Sequence, residues 1–298
     1  MAKTVTIIGG SGFVGRAIAE AAVPAGWSVR VAVRNTKAAS DMDAEVVSCD
    51  IREDAQVSAA LAGADAVINC VGILAEGRGG SFAALQAEGA ARVARLAAEA
   101  GLGHMIQLSS IGADASSPSQ YSRTKAAGEE GVLKHMPGAM ILRPSIIFGP
   151  ADSFFNRFAD LSKLSPFVPV VGASTRFQPV FVGDVAAAAV AGLKEKTSGI
   201  YELGGPEIET FSDLMHRMLK QLGRTRLVLP LPAPIGSLMG FGFETLSQLS
   251  GGRIEPQITR DQVANLGKDN VVSGAHSSLD ALGVTPTPMA DILPTYLK

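Results

Sequence analysis

Thr4-Val5-Thr6-Ile7-Ile8-Gly9-Gly10-Ser11-Gly12-Phe13-Val14-Gly15-Arg16 is the stretch on which the reading of this chain turns. Thr4 to Ile8 is a short apolar run rich in β-branched residues, and it passes directly into glycines at 9, 12 and 15. In a G-x-x-G-x-x-G turn the first glycine permits a tight bend, the second lets backbone approach a pyrophosphate, and the third lets a helix pack on the strand. Arg16 to Ala25 reads as that helix, its N-terminal N–H groups facing the anion. Val29-Arg30-Val31-Ala32-Val33 returns as a second strand and closes a βαβ unit, the context that a dinucleotide site requires. Gly9, Gly10, Ser11, Gly12, Phe13, Val14 and Gly15 are therefore expected to cradle a dinucleotide.

Further strand-like runs near 45 to 48, 66 to 70, 105 to 109 and 139 to 143 alternate with helix-like stretches such as 82 to 100 and 126 to 135. Such alternation predicts an α/β fold, a Rossmann-type doubly wound parallel sheet. Beyond Pro150 prolines interrupt the regular repeat. The expectation is a Rossmann domain over 1–150, completed by about 177–205, and a smaller, irregular C-terminal lobe over 151–298, interleaved with it. Leu227 to Phe243 carries no charge, but its three prolines and three glycines argue against a spanning helix. It is expected to be buried or to line a pocket, the alternative being an exposed surface that contacts a subunit or a membrane.

The 298 residues carry a net charge of −2 with a pI near 6.1, which leaves no electrostatic footprint for nucleic acid or an anionic membrane. Small-molecule partners are favoured. Cys49 and Cys70 fall at the ends of apolar strands, where reduced thiols are expected, and the four histidines lack metal-ligand spacing, so no metal is assigned. The first strand begins almost at Met1, which points to a cytoplasmic protein or one on a cytoplasmic face.

NAD-binding units place an acid at the end of the second strand to take the ribose hydroxyls. This chain has Arg34-Asn35 there, and the first acid after it, Asp41, lies beyond a turn. A guanidinium suits the 2′-phosphate of NADP, so NADPH is expected rather than NAD, with Arg16 as a second phosphate ligand. Asp50 and Ile51 would flank the adenine, and Asn69 to Gly72, with Cys70 and Val71 between, would pass beside the nicotinamide ribose.

Ser109-Ser110 closes a strand on the ligand side of the sheet, and Tyr121 and Lys125 stand four apart on one helical face. A phenol with a pKa of ~10 exchanges protons poorly at neutral pH unless a cation lowers that value. Lys125 and an oxidised nicotinamide would supply the charge, and Ser109 or Ser110 would hold a substrate carbonyl.

With G-x-x-G-x-x-G, Tyr121-x-x-x-Lys125 and Arg143-Pro144-Ser145-Ile146-Ile147-Phe148-Gly149-Pro150, the chain resembles the short-chain dehydrogenase/reductase superfamily, in its extended and atypical branches. The resemblance covers essentially the whole chain and adds Pro144 to the residues expected at the cofactor. A narrower match lies in Asp152-Ser153-Phe154-Phe155-Asn156-Arg157-Phe158, Gln178-Pro179-Val180-Phe181-Val182-Gly183-Asp184-Val185 and Ile258-Thr259-Arg260-Asp261-Gln262-Val263. These segments resemble the nucleotide-binding accessory subunits of respiratory complex I (NADH:ubiquinone oxidoreductase) and their bacterial relatives. That resemblance implies a tightly held NADPH, complex I subunits as partners, a peripheral place on the cytoplasmic side of the inner membrane, and a role in assembly or stability rather than turnover. Ser110 and Tyr121 stand closer in sequence than in the nucleotide-sugar enzymes of the superfamily. Two other readings stay open: a free-standing NADPH-dependent reductase or epimerase using Tyr121 and Lys125, and a dinucleotide redox sensor.

Overall fold

The computed structural model describes residues 2–251, 253 and 256–298. Strand β1 (Thr4–Ile8) is buried from Val5 onward and ends at Gly9, whose φ of +79° only glycine adopts freely. Helix α1 (Phe13–Ala22) starts immediately after Gly12, three residues before the expected start, because Gly12 is still extended and already serves as its cap. The chain then builds β2 (Ser28–Val33), β3 (Glu45–Ser48), α2 (Asp54–Leu61) and β4 (Ala66–Asn69). A π-helical turn over Ala83–Glu88 leads into α3 (Gly89–Glu99), followed by β5 (His104–Leu108). Helix α4 (Gln120–His135) carries Tyr121 in its first turn as expected, and Ser119 caps it by accepting from the Ser122 N–H. Strand β6 (Met140–Pro144) completes the first half.

All the strands of the main sheet run parallel, in the order β11-β6-β5-β4-β1-β2-β3, where β11 is Gly199–Leu203. The strand order reverses between β1 and β4, so the ends of these two strands open a crevice where doubly wound sheets take ligands. Short apolar strands serve because both faces are covered. On one face α1 and α6 (Val182–Glu195) pack over Ile7, Val31 and Ile68; on the other α2, α3 and α4 cover Ile8, Val67 and Ile141.

The remaining elements make the smaller lobe: β7 (Ile147–Phe148), α5 (Phe155–Leu164), β8 (Phe167–Val171), β9 (Arg176–Phe177), β10 (Val180–Phe181), β12 (Glu209–Thr210), α7 (Phe211–Gln221), β13 (Leu227–Leu231), α8 (Ala233–Leu249), α9 (Arg260–Asn265) and α10 (Met289–Tyr296). The strands among them pair two by two: β10 with β7, β12 with β9, and β13 with β8. Phe154, Phe158, Phe177 and Phe211 form a ring cluster with centroids 5.5 to 6.5 Å apart, over a core that includes Phe148, Met215 and Leu293. Buried Asp152 ties this lobe down: it accepts from the N–H groups of Gly149 and Phe154 and from the Tyr296 hydroxyl at 2.6 Å.

The uncharged run 227 to 243 departs from expectation. Pro230, Leu231, Pro232 and Ala233 do line a small cavity with Val171 to Ser174, but most of the large side chains face outward. Leu238 is 72% exposed and Phe241 53%, and Ile235 and Met239 lie on the same side. The cause is the helical period: only Gly236 and Gly240 are buried on α8, and a helix that packs through two glycines turns its larger residues away. Among the described residues no helix is long and apolar enough to cross a membrane, and no cluster of His, Cys, Asp and Glu is arranged to hold a metal ion.

Candidate functional site

The glycine turn is built so tightly that side chains have no room in it. A Cβ on Gly15 would stand 2.5 Å from the Gly9 carbonyl oxygen and 2.7 Å from the Gly10 Cα, so α1 approaches the end of β1 at backbone contact. Gly12 then presents the first turn of α1, with N–H groups that have no partner in the helix, at the mouth of the crevice. Ser11, Phe13 and Val14 follow the same turn, and Phe13 also lies against Gly149 of the smaller lobe.

Arg34 leaves the end of β2 exposed, and its guanidinium donates to the Gly79 carbonyl at 2.9 Å. It thereby ties the second strand to the loop after β4, where Gly77 and Gly80 bridge each other. Arg16 points toward the same edge, but its fork is taken by both oxygens of Asp41, at 2.9 and 3.1 Å. The paired guanidinium holds the Asp41 carboxyl below its ordinary range. Asp50 is chelated by Arg52, with a contribution from the Arg34 charge, and its pKa falls to about 2. Ile51 is buried against Gly89, so its side chain belongs to the core, and its carbonyl accepts from Arg92.

Cys70 and Val71 continue β4, and the Val71 N–H is fixed by the buried Asn69, which in turn donates to Gln107 at 2.9 Å. Both cysteines are free thiols; burial pushes Cys70 up to about 12 and Cys49 to about 11. Lys125 lies buried beside this segment. Its Nζ donates to the Leu108 carbonyl at 3.3 Å, and a Cβ on Gly72 would meet it at 3.2 Å. The ammonium therefore bridges the ends of β4 and β5, with the Tyr121 ring centroid 5.8 Å away. Phe82 packs edge-on against Tyr121 with centroids 5.8 Å apart.

The two serines have different surroundings. Ser109 Oγ donates to Glu129 at 2.5 Å, and Glu129 also takes both arms of Arg143 in a buried ion pair. Ser110 Oγ is buried and has no hydrogen-bond partner among the described residues. An orphaned hydroxyl just past the end of β5, where Lys125 bonds the Leu108 carbonyl, is the observation that fits a ligand there. Pro144, at the end of β6, accepts at its carbonyl from Ile111 and so fixes the loop that carries Ser110. Sequence reasoning missed Glu129, although it follows Lys125 by four residues on the same helical face. It also missed Gly79, whose carbonyl has no signature in sequence.

Beside α4 opens a cleft of about 840 Å³ lined by Glu76, Arg78, Phe82, Gln120, Arg123 and Arg260 among others. A dinucleotide fits the rest of the site: the bare glycine turn brings the start of α1 onto the end of β1, and Tyr121 and Lys125 stand together past the ends of β4 and β5.

Comparison with known proteins agrees. The model of the NAD dependent epimerase/dehydratase family matches residues 5–204. The chain is 34% identical over 296 residues to the mitochondrial NADH dehydrogenase (ubiquinone) 1 alpha subcomplex subunit 9 of Arabidopsis thaliana, covering 94% of this chain and 74% of that one. It is 31% identical over 235 residues to a ceramide reductase of Caulobacter vibrioides, covering 77% of this chain and 74% of the relative. An NADPH-dependent quinone oxidoreductase of Escherichia coli, solved with NADPH, shares the fold at a TM-score of 0.74 and 18% identity, over 96% of this chain and 97% of that one. The chain belongs to the NAD dependent epimerase/dehydratase family, the extended short-chain dehydrogenases/reductases, a family of dinucleotide-binding proteins.

Proposed function

We propose that this protein is an NADP(H)-binding accessory subunit of respiratory complex I, serving assembly or stability, and docked peripherally on the cytoplasmic side of the inner membrane. The observation that carries this reading is the outward face of α8, where Ile235, Leu238, Met239, Leu246 and Leu249 are all at least 36% exposed, with Phe241 at its border beside the Arg260 guanidinium that Glu244 pairs. Soluble proteins acting alone seldom present such a contiguous apolar face, whereas a subunit buries it against its partners. Similarity along nearly the whole chain to a complex I subunit supports the same reading, and it includes the lobe that carries α8.

The nucleotide would be held by the glycine turn, Arg34, Arg16 after release from Asp41, Gly72, Ser110, Tyr121 and Lys125. When bound it supplies a nicotinamide able to donate a hydride. In an accessory subunit Tyr121 and Lys125 bind and orient it. Tyr121→Phe is then expected to leave NADPH affinity within about twofold and the melting temperature nearly unchanged, since only one hydroxyl is lost. Titration calorimetry and thermal melts check this.

Docking through an apolar face has a second consequence. Salt does not screen apolar burial, so high salt should strip the native protein poorly from membranes while mild detergent keeps it with complex I subunits. Fractionation of gently lysed cells followed by identification of co-purifying proteins tests the assignment. Quantitative recovery in the soluble fraction without complex I subunits would sink it.

A second reading, an NADPH-dependent reductase, is favoured by the unpartnered Ser110 hydroxyl, two residues past the Leu108 carbonyl that Lys125 bonds, and by the relative named a ceramide reductase. There Ser110 would donate to a substrate carbonyl and the Tyr121 phenol would deliver the proton, with Lys125 easing its loss. Turnover at ordinary enzymatic rates, lost by orders of magnitude in Tyr121→Phe, would decide for that reading.

A further inference from the structure

Residues 258 to 263 lie outside the dinucleotide crevice, yet they reach the helix that carries Tyr121 and Lys125. Asp261, in the first turn of α9, accepts from the Gln120 N–H at 2.5 Å through one carboxylate oxygen. Its other oxygen accepts from the Tyr121 N–H at 3.2 Å and from the Ser119 hydroxyl at 2.8 Å. Two of the N–H groups that a helix start leaves unpaired are thus satisfied by a carboxylate from 140 residues away, which also meets the positive end of α4.

The surrounding bonds fix where that carboxylate stands. Thr259 and Gln262 form a reciprocal capping box that sets the first turn of α9. Gln262 donates to the Leu74 carbonyl at 3.0 Å, on the loop after β4, and the Ser122 hydroxyl bonds Asn265 at 2.9 Å. From the other side Glu244 of α8 holds Arg260 through its backbone N–H and its guanidinium, both at 2.8 Å. A Cβ on Gly240 would stand 2.8 Å from the Arg260 nitrogen, so α8 lies directly on this segment.

We propose that Asp261 is a positioning residue for the nicotinamide half of the dinucleotide site, acting from the smaller lobe by fixing the first turn of α4. This rests on the dinucleotide reading above. A helix start held by three hydrogen bonds places the Tyr121 ring and the Lys125 ammonium in a single register against Gly72 and the Leu108 carbonyl. Without the carboxylate that turn frays, and both side chains lose their fixed place. The adenosine half, built on the glycine turn and Arg34, shares no contact with Asp261 and keeps its geometry.

The test compares the full chain with Asp261→Ala and Asp261→Asn, the latter keeping one acceptor. Amide hydrogen exchange is read at residues 119 to 122, and the emission of bound NADPH reports on its nicotinamide. Asp261→Ala is expected to speed exchange in the first turn of α4, to move the bound nicotinamide emission toward that of free NADPH, and to weaken NADPH about three- to tenfold. The ratio of NADPH to NADH affinity should stay constant, and Asp261→Asn should fall between the two. A folded Asp261→Ala protein that binds NADPH with unchanged exchange and unchanged emission overturns the inference and leaves the dinucleotide reading intact. Failure of the native chain to bind NADPH overturns that reading and this inference with it.

Discussion

Replacing Arg34 with glutamate should abolish the preference for NADPH over NADH, shifting the ratio of their dissociation constants by about 1.5 to 3 kcal/mol, roughly ten- to a hundredfold. Arg34 is the cation at the end of β2, where a carboxylate would otherwise meet ribose hydroxyls, and among the described residues its side chain hydrogen-bonds the Gly79 carbonyl alone. That leaves most of the fork for a phosphate. Glutamate at this place repels the phosphate and accepts from ribose hydroxyls, so NADPH should weaken while NADH holds or gains. Arg16 contributes less, because a phosphate must first displace Asp41 from it. Titration of both reduced cofactors against the native and variant proteins gives the ratio. Equal native affinity for the two would sink the NADPH assignment.

Glu129→Ala should cost about 3 to 5 kcal/mol of folding stability, the usual cost of breaking a buried ion pair from one side. Glu129 is 5% exposed and accepts from both arms of Arg143 and from Ser109. Its carboxylate holds the Arg143 guanidinium above its ordinary pKa, mainly by hydrogen bonding, and the arginine stays charged when the partner is removed because guanidinium is not deprotonated in proteins. A half-buried cation and a buried serine hydroxyl are then left together, with His276 3.4 Å from Arg143 and the charge of Glu202 to take part of the load. Arg143 joins β6 to α4, so the loss should loosen the helix that carries Lys125 as well. Denaturant unfolding measures the cost. A change below about 1 kcal/mol would mean that water reaches the pair and solvates it.

The fold was legible because its evidence is local. A β-branched run that ends in Gly9, a residue whose φ must be positive, followed by a helix whose third glycine must touch the turn, constrains only residues 4 to 22, and it reads the same in sequence as in space. The alternation of short apolar strands with alanine-rich helices is equally local, and it dictates a parallel sheet because each strand must be covered on both faces. The same holds for Tyr121 and Lys125, which share a face by helical spacing alone. Helix caps were less legible: α4 begins at Gln120, where Ser119 and Asp261 cap it, and only one of those two lies near it in the chain.

Sequence by itself determined the doubly wound sheet, the glycine cradle, the arginine where NAD-binding proteins carry an acid, and the tyrosine and lysine pair. Only the tertiary structure decided which serine has a free hydroxyl, since Ser109 and Ser110 are chemically identical and differ in that Glu129 of another element takes one of them. It likewise decided that the uncharged run 227 to 243 faces outward, because hydropathy counts apolar residues but does not say which side of a helix finds neighbours. Asp261 belongs to the same class: its partners lie 140 and 141 residues away, and no local pattern encodes a contact that exists only after the smaller lobe has folded onto the sheet.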